Sequence, residues 1–160
     1  MAVPDLKRSM RGLNARLVGA IGELVALEYL EAIGVGGVVD VSDTRYDLAT
    51  PFGTIDVKTK DRTVRVQHDY GCSVAEYHFA HQIPDWYLFV NLVRDRRIEG
   101  VERFVEAEVL GTISRRDFED RAILWQQGDI DPSNGWAVTE TCYNVKVDQL
   151  KPPRAVHRVA

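Results

Sequence analysis

The spacing of apolar positions divides the chain into one long helix followed by a series of short strands. Residues 9–33 carry apolar side chains at helical intervals, with Ser9 placed to cap the first turn and Gly34, Gly36 and Gly37 ending the run. Val35 to Val41 and Arg45 to Thr50 read as two short strands, and Gly53 to Lys60 alternates as a third. Between the last two, Thr50-Pro51-Phe52-Gly53 has proline at the second turn position and glycine at the fourth, which suits a type I turn and predicts a hairpin. In 63–82, Val64, Val66, Tyr77 and Phe79 alternate with polar residues, predicting strands broken at Asp69-Tyr70-Gly71. Trp86 to Val93 is nearly all apolar, the pattern of a strand buried on both faces, with Trp86 and Tyr87 in the core. Arg103 to Leu110 is a further strand, and Ser114-Arg115-Arg116-Asp117 has the form of a capping box opening a short helix to about Ala122. Asp131 to Gly135 is a loop, Ala137 to Val147 a last strand, and Lys151-Pro152-Pro153 starts a tail. The predicted class is α/β (α+β): a central mixed sheet of four to five strands flanked by helices, led by a long N-terminal helix, in one domain spanning 1–160.

Composition narrows the setting. A 160-residue chain that is 45% hydrophobic and 28% charged has a globular profile, which excludes extended disorder. Two cysteines are too few for a disulfide scaffold and point to a reducing, cytoplasmic environment. No apolar run approaches the roughly 20 residues that span a bilayer, and the N-terminus lacks a signal-peptide core, so no membrane partner is expected. The net charge of −4 hides an uneven distribution. Residues 1–16 and 151–160 each carry +3, which leaves −10 for residues 17–150. Basic N-terminal (1–11) and C-terminal (151–160) segments around an acidic middle do not suit a protein that coats DNA passively. They suit acids gathered around a metal ion and basic ends that meet phosphate; basic tails solvated by water are the plainer reading.

The chemistry concentrates on the predicted hairpin. Strand parity sends Ile55 and Val57 to the core and Thr54, Asp56, Lys58 and Lys60 to the other face. Asp56 and Lys58 are then roughly 6–7 Å apart, near enough to act on one small substrate group. The turn brings Asp47 back beside Asp56. Two carboxylates that close repel unless a proton or a divalent ion lies between them. Hard oxygen donors without a supporting histidine or cysteine favour Mg2+ or Mn2+ over Zn2+. The acid-x-lysine spacing alone carries little, since Asp5-Leu6-Lys7 repeats it; the hairpin context distinguishes the second copy. On the first helix, the residues within about 60° of Glu23 are Gly12, Arg16, Gly19, Ala20, Ala26, Leu27 and Leu30. A stripe so rich in glycine and alanine predicts close approach to a sheet with Glu23 inside the contact. A carboxylate there needs a cation or strong donors, and Arg16 is its purely structural candidate.

Gly19-Ala20-Ile21-Gly22-Glu23-Leu24-Val25-Ala26-Leu27-Glu28-Tyr29-Leu30, Tyr46-Asp47-Leu48 and Ile55-Asp56-Val57-Lys58-Thr59-Lys60 together resemble the PD-(D/E)XK nuclease superfamily, in particular its small Holliday-junction-resolvase-like and phage-type endonucleases. Tyr46 stands where the family name has proline, Asp56 replaces the commoner glutamate, and neither Gln67 nor Gln82 has the tyrosine four residues on that marks the helicase-associated exonuclease branch. The resemblance implies a restriction-endonuclease-like core and Mg2+-dependent (or Mn2+-dependent) hydrolysis of DNA phosphodiester bonds, on branched or double-stranded DNA, in recombination, repair or phage DNA processing. It implies Glu23, Asp47, Asp56 and Lys58 as catalytic residues. Asp47, Asp56, Glu23 and Val57 would bind metal, Val57 having only its main chain to offer, and Lys60, Arg16 and Arg62 would contact nucleic acid. The expected partners are DNA and, by analogy with junction resolvases, a second copy in a homodimer, with no nucleotide cofactor. The competing readings are a catalytically silent DNA-binding or assembly protein of the same fold, and a restriction-like or mismatch endonuclease.

Other signals carry less. His78, His81, Cys72 and Cys142 match no common zinc spacing. His68-Asp69 has no nucleophile with a supporting motif, and Gly34 to Gly37 follows a helix instead of opening one as a phosphate cradle would.

Overall fold

A computed structural model describes residues 3–41 and 45–155, with side chains from residue 12 onward. Side chains of the basic segment 1–11 and residues 156–160 of the C-terminal one lie outside the described residues. Helix α1 (Val3–Ala32) is followed by strands β1 (Val39–Asp40), β2 (Leu48–Thr50), β3 (Gly53–Arg62) and β4 (Gly71–Ala75). Then come α2 (Glu76–His81), β5 (Trp86–Arg94), β6 (Phe104–Ser114), α3 (Arg115–Arg121), β7 (Ile123–Trp125) and β8 (Cys142–Lys146). Five strands form a mixed sheet in the order β1-β2-β3-β5-β6, in which β3 and β5 are parallel and the other neighbours antiparallel. A second, antiparallel sheet has the order β4-β8-β7. Among the described residues, no helix is long and apolar enough to cross a membrane.

The central strand explains the layering. In β5, Leu88, Val90 and Leu92 pack toward α1 with Ile55 and Val57 of β3, while Tyr87 and Phe89 pack toward the second sheet with Val74, Phe118 and Val145. The apolar run at 86–93 is thus buried on both faces, as its composition predicts. The end of α1 also follows its sequence. Gly34 adopts φ +85°, its N–H donates to the Glu31 carbonyl and that of Val35 to the Leu30 carbonyl, a Schellman closure of the last turn. The Ser114 hydroxyl accepts from the Asp117 N–H at 3.0 Å and opens α3 where the capping box places it.

Several expectations need correction. The first helix begins at Val3, so Ser9 lies inside it and is not its N-cap. The strand expected at 35–41 shrinks to Val39–Asp40, because its partner β2 is three residues long. Val64 and Val66 lie in no strand, their main chain being bonded by the Asn91 and Glu108 side chains, and Tyr77 and Phe79 belong to α2. Past the Ala75–Cys142 pair, a bond from Glu76 N to the Thr141 carbonyl ends the ladder, and Tyr77 stacks on His81 one helical turn on, centroids 4.2 Å apart. The strand expected from Ala137 starts at Cys142, since residues 128–138 close on themselves through bonds from Gly128 N to the Val138 carbonyl and from Val138 N to the Asp129 carbonyl. Sheet membership of β7 and the separateness of the second sheet were not legible in the pattern.

Candidate active site

The hairpin forms as its turn predicts. Leu48 pairs with Ile55 and Thr50 with Gly53, a register that continues to set Asp47 opposite Asp56. Beyond the end of β2 the Asp47 side chain takes over the ladder. Its main-chain N–H donates to the Ile55 carbonyl, and its Oδ2 accepts from the Val57 N–H at 2.7 Å. This carboxylate is therefore fixed to the strand that carries the other one. Asp56 is 1% exposed, and its Oδ2 lies 2.7 Å from the Lys58 ammonium. That ammonium directs a hydrogen bond to Gln82 Oε1 at 2.9 Å, so Asp56 Oδ2 has a charge neighbour but no directed hydrogen bond.

Burial and then the Asp56 charge raise the Asp47 pKa to about 7, against the opposing pull of the Val57 N–H and Lys58. The two carboxyl groups stand within hydrogen-bonding reach, so a proton is retained between them near neutrality. Glu23 rises to about 6 through burial and the charges of Asp47 and Asp40. An acidic cluster thus spans α1, β1 and the hairpin. Because the folded protein keeps these protons to higher pH than the unfolded chain, the stability that Glu23 and Asp47 contribute falls as pH rises from about 4 to about 7. We expect a higher Tm in EDTA at about pH 5.5 than at about pH 8, and a flatter slope in Asp47→Asn. Thermal scans of both proteins check this; an equal slope in the two would mean that Asp47 titrates normally.

The face of α1 that meets the sheet differs from the expected one. The buried positions are Val18, Gly22, Ala26 and Leu30, whereas Gly12 and Ala20 are exposed. Gly22 sets the approach: a Cβ there would come 1.7 Å from Thr59 Oγ1 and 2.7 Å from its Cβ. Glu23 is next to this stripe in sequence, so it sits on the flank of the contact, half-buried and turned toward the Asp40 and Asp47 charges. Arg16 is exposed, and among the described residues no ion pair joins it to Glu23. Gly22→Ala is expected to push α1 off β3 and cost about 1–3 kcal/mol, measured by urea unfolding. Thr59→Ala in the same chain should recover part of the loss, and a neutral Gly22→Ala would contradict the close approach.

Lys60 follows on the same strand face. It is open to solvent but crowded by protein on its other sides, and that crowding, followed by the Arg62 charge, lowers its pKa. Arg62 donates to Asn91 Oδ1 at 2.9 Å and to the Gly71 carbonyl at 3.2 Å, with its guanidinium over the Tyr70 ring. Asn91, fully buried on β5, donates in turn to Glu108 Oε2 at 2.7 Å.

Three contributors were not assigned from sequence. Asp40 enters through the edge strand. Gln82 and His78 come from α2 and its C-terminal boundary; the His78 pKa is lowered by burial and by the nearby Lys58. Arg115 props that segment: its guanidinium donates to the carbonyls of Gln82 and Phe79 and lies 4.5 Å from the Phe79 ring centroid. No local signal marked Gln82 as a lysine partner. Cys72 and Cys142 are buried free thiols. Among the described residues, no three histidine, cysteine, aspartate or glutamate side chains converge as a ready metal cage.

The fold and site define a mixed α/β protein with a carboxylate pair and a lysine on one hairpin and a glutamate brought in by the first helix. No protein-family model matches the chain, and neither a curated protein nor a solved structure does.

Proposed function

We propose that this protein is a metal-dependent deoxyribonuclease of the PD-(D/E)XK type, hydrolysing phosphodiester bonds in branched or double-stranded DNA. The observation that carries the reading is the hairpin register, which sets Asp47 opposite Asp56 with Lys58 2.7 Å from Asp56 Oδ2. A mixed sheet carrying the acids, covered on one face by a long helix, supports a restriction-endonuclease-like core. The donor set fits a divalent cation. Asp56 Oδ2 is buried without a directed hydrogen bond, and Asp47 holds its proton up to about 7, so the single Lys58 ammonium beside Asp56 leaves the carboxylate pair short of positive charge. Asp47 and Asp56 would hold Mg2+ or Mn2+. The Val57 carbonyl, on the same strand edge as its N–H to Asp47, would join them, and Glu23 would complete or tune the set from α1. When bound, such an ion lowers the pKa of an attacking water and polarises the phosphoryl oxygen.

The chain's own residues supply the rest. Lys58 places fixed positive charge where negative charge builds on the phosphoryl group and orients the water. Gln82 holds that ammonium in place, which limits its reorganisation during reaction. Lys60, two residues along, contacts a neighbouring phosphate; Arg16 and Arg62 extend the nucleic-acid contact. A homodimer belongs to this reading, because severing both strands takes two sites. The test is cleavage of supercoiled plasmid, linear duplex, four-way junction and single strand in Mg2+, Mn2+ or EDTA, beside Asp56→Asn. Metal-dependent cutting that the variant lacks supports the nuclease, and the preferred substrate separates junction-selective from restriction-like or mismatch activity. The Lys58 ammonium already resting against Asp56, without a ready three-acid cage among the described residues, favours the silent DNA-binding reading as the alternative; well-folded protein that cuts nothing would select it.

A further inference from the structure

Beyond Lys58, the same face of β3 forms the floor of a recess of about 490 Å³. Lys60, Arg62 and Ser73 line it from the two sheets, and Asp131, Asn134 and Trp136 from the 128–138 hairpin. The recess continues past Trp136 toward Arg94 and Arg96 at the far end of β5. The wall is ordered by its own bonds. Asp131 Oδ1 accepts from the Ser133 N–H and hydroxyl, and the Asp131 N–H donates to the Trp136 carbonyl at 2.9 Å. Asp131 makes its hydrogen bonds within its own loop, and its charge still reaches Lys60 across the recess without pairing with it. Trp136 is 73% exposed, an indole displayed to solvent by a hydrogen-bonded turn.

Two observations point to a ligand. Lys60 has no ion pair or hydrogen bond among the described residues, although it stands in a concave site beside a second cation, Arg62. Crowding by protein and the Arg62 charge outweigh the opposing Asp131 charge on Lys60, so an unpaired ammonium in this place accommodates an anion. Residues 58 and 60 advance about 6.6 Å along the strand, close to the separation of neighbouring phosphates on a nucleic-acid strand. An anion on Lys60 would then be the phosphate next to the one that Lys58 addresses. Trp136 offers an aromatic face in the same recess, which only a base free of its own stacking neighbours can use.

We infer that this recess is a subsite for an unpaired nucleotide of a DNA strand, its phosphate on Lys60 and its base stacked on Trp136. The inference rests on the nuclease reading and refines it: the substrate carries a single-stranded segment beside the cleaved bond, as flaps and opened junctions do. A duplex cannot occupy the site, since its bases are already stacked and the recess is walled by α1 on one side and the hairpin on the other.

The test measures strand binding apart from chemistry. Fluorescence anisotropy of a labelled short oligothymidylate and of a blunt duplex of equal length is followed in EDTA for wild type, Trp136→Ala, Trp136→Phe and Lys60→Ala. Trp136→Ala is expected to weaken oligothymidylate binding roughly tenfold, with Trp136→Phe retaining most of the affinity. Lys60→Ala is expected to weaken binding and to reduce the salt dependence by about 0.7 in log–log slope. The duplex should respond much less to either change at Trp136. Unchanged oligothymidylate affinity in Trp136→Ala overturns the subsite, as does an equal loss for duplex and single strand. Because Asp56→Asn reads cleavage and these variants read binding without metal, the subsite can fail while the nuclease stands, and the reverse.

Discussion

Asp56→Asn is expected to abolish DNA cleavage, by roughly a thousandfold or more, while leaving the fold and DNA binding in place. The residue is 1% exposed, opposite Asp47 and in contact with Lys58, so every proposed step at the phosphate passes beside it. The substitution keeps the volume and removes the charge. It also removes the Asp56 charge, which adds to burial in raising the Asp47 pKa to about 7, so the Tm in EDTA at about pH 8 should not fall and the stabilisation by Mg2+ should shrink. Cleavage time courses and thermal scans with and without Mg2+ make the measurement. A variant that cuts DNA as well as wild type does would remove the hairpin from the mechanism.

Lys58→Met is expected to lower cleavage about a hundredfold to a thousandfold with metal affinity near that of wild type. Removing the ammonium leaves Asp56 buried without its charge neighbour, and Gln82 Oε1 without its donor. Breaking a buried pair from one side typically costs about 3–5 kcal/mol, so the metal-free variant should unfold at clearly lower urea concentration. Mg2+ should recover part of that loss, since a cation can take over the neutralising role. Gln82→Ala separates positioning from charge. Its turnover should drop by less than that of Lys58→Met, and Gln82→Glu should recover part of it by offering an acceptor again. A collapse of Mg2+ affinity in Lys58→Met would show that the lysine organises the metal site and not the phosphate.

The hairpin was legible because its rules are local. A proline–glycine turn fixed which residues pair, and the period of two assigned Asp56 and Lys58 to one face without knowledge of the rest of the molecule. Glu23 was legible as a residue but not as a position. Small residues marked the stripe on α1 that touches the sheet, yet which small residues do so depends on what stands opposite, and Thr59 under Gly22 rotates the contact away from the expected centre. Gln82 and His78 were beyond reach for a different reason. They belong to a stretch whose alternation imitates a strand, and their role follows from Arg115 holding that stretch over Lys58 from another part of the chain. The second sheet escaped notice because its strands of three to five residues carry too little pattern to announce pairing.

The parallel pairing of β3 with β5 also sets an order in time. Antiparallel β2 and β3 join through a tight turn, so the carboxylates can meet as soon as a few neighbouring residues close. Strand β5 reaches β3 only after the chain between them, which holds β4 and α2, has doubled back, a slower loop closure across a longer sequence separation. Gln82 arrives with that crossover. The expected order brings the two acids together before Gln82 anchors their lysine, and a divalent cation present at that moment is expected to speed refolding by neutralising the early hairpin.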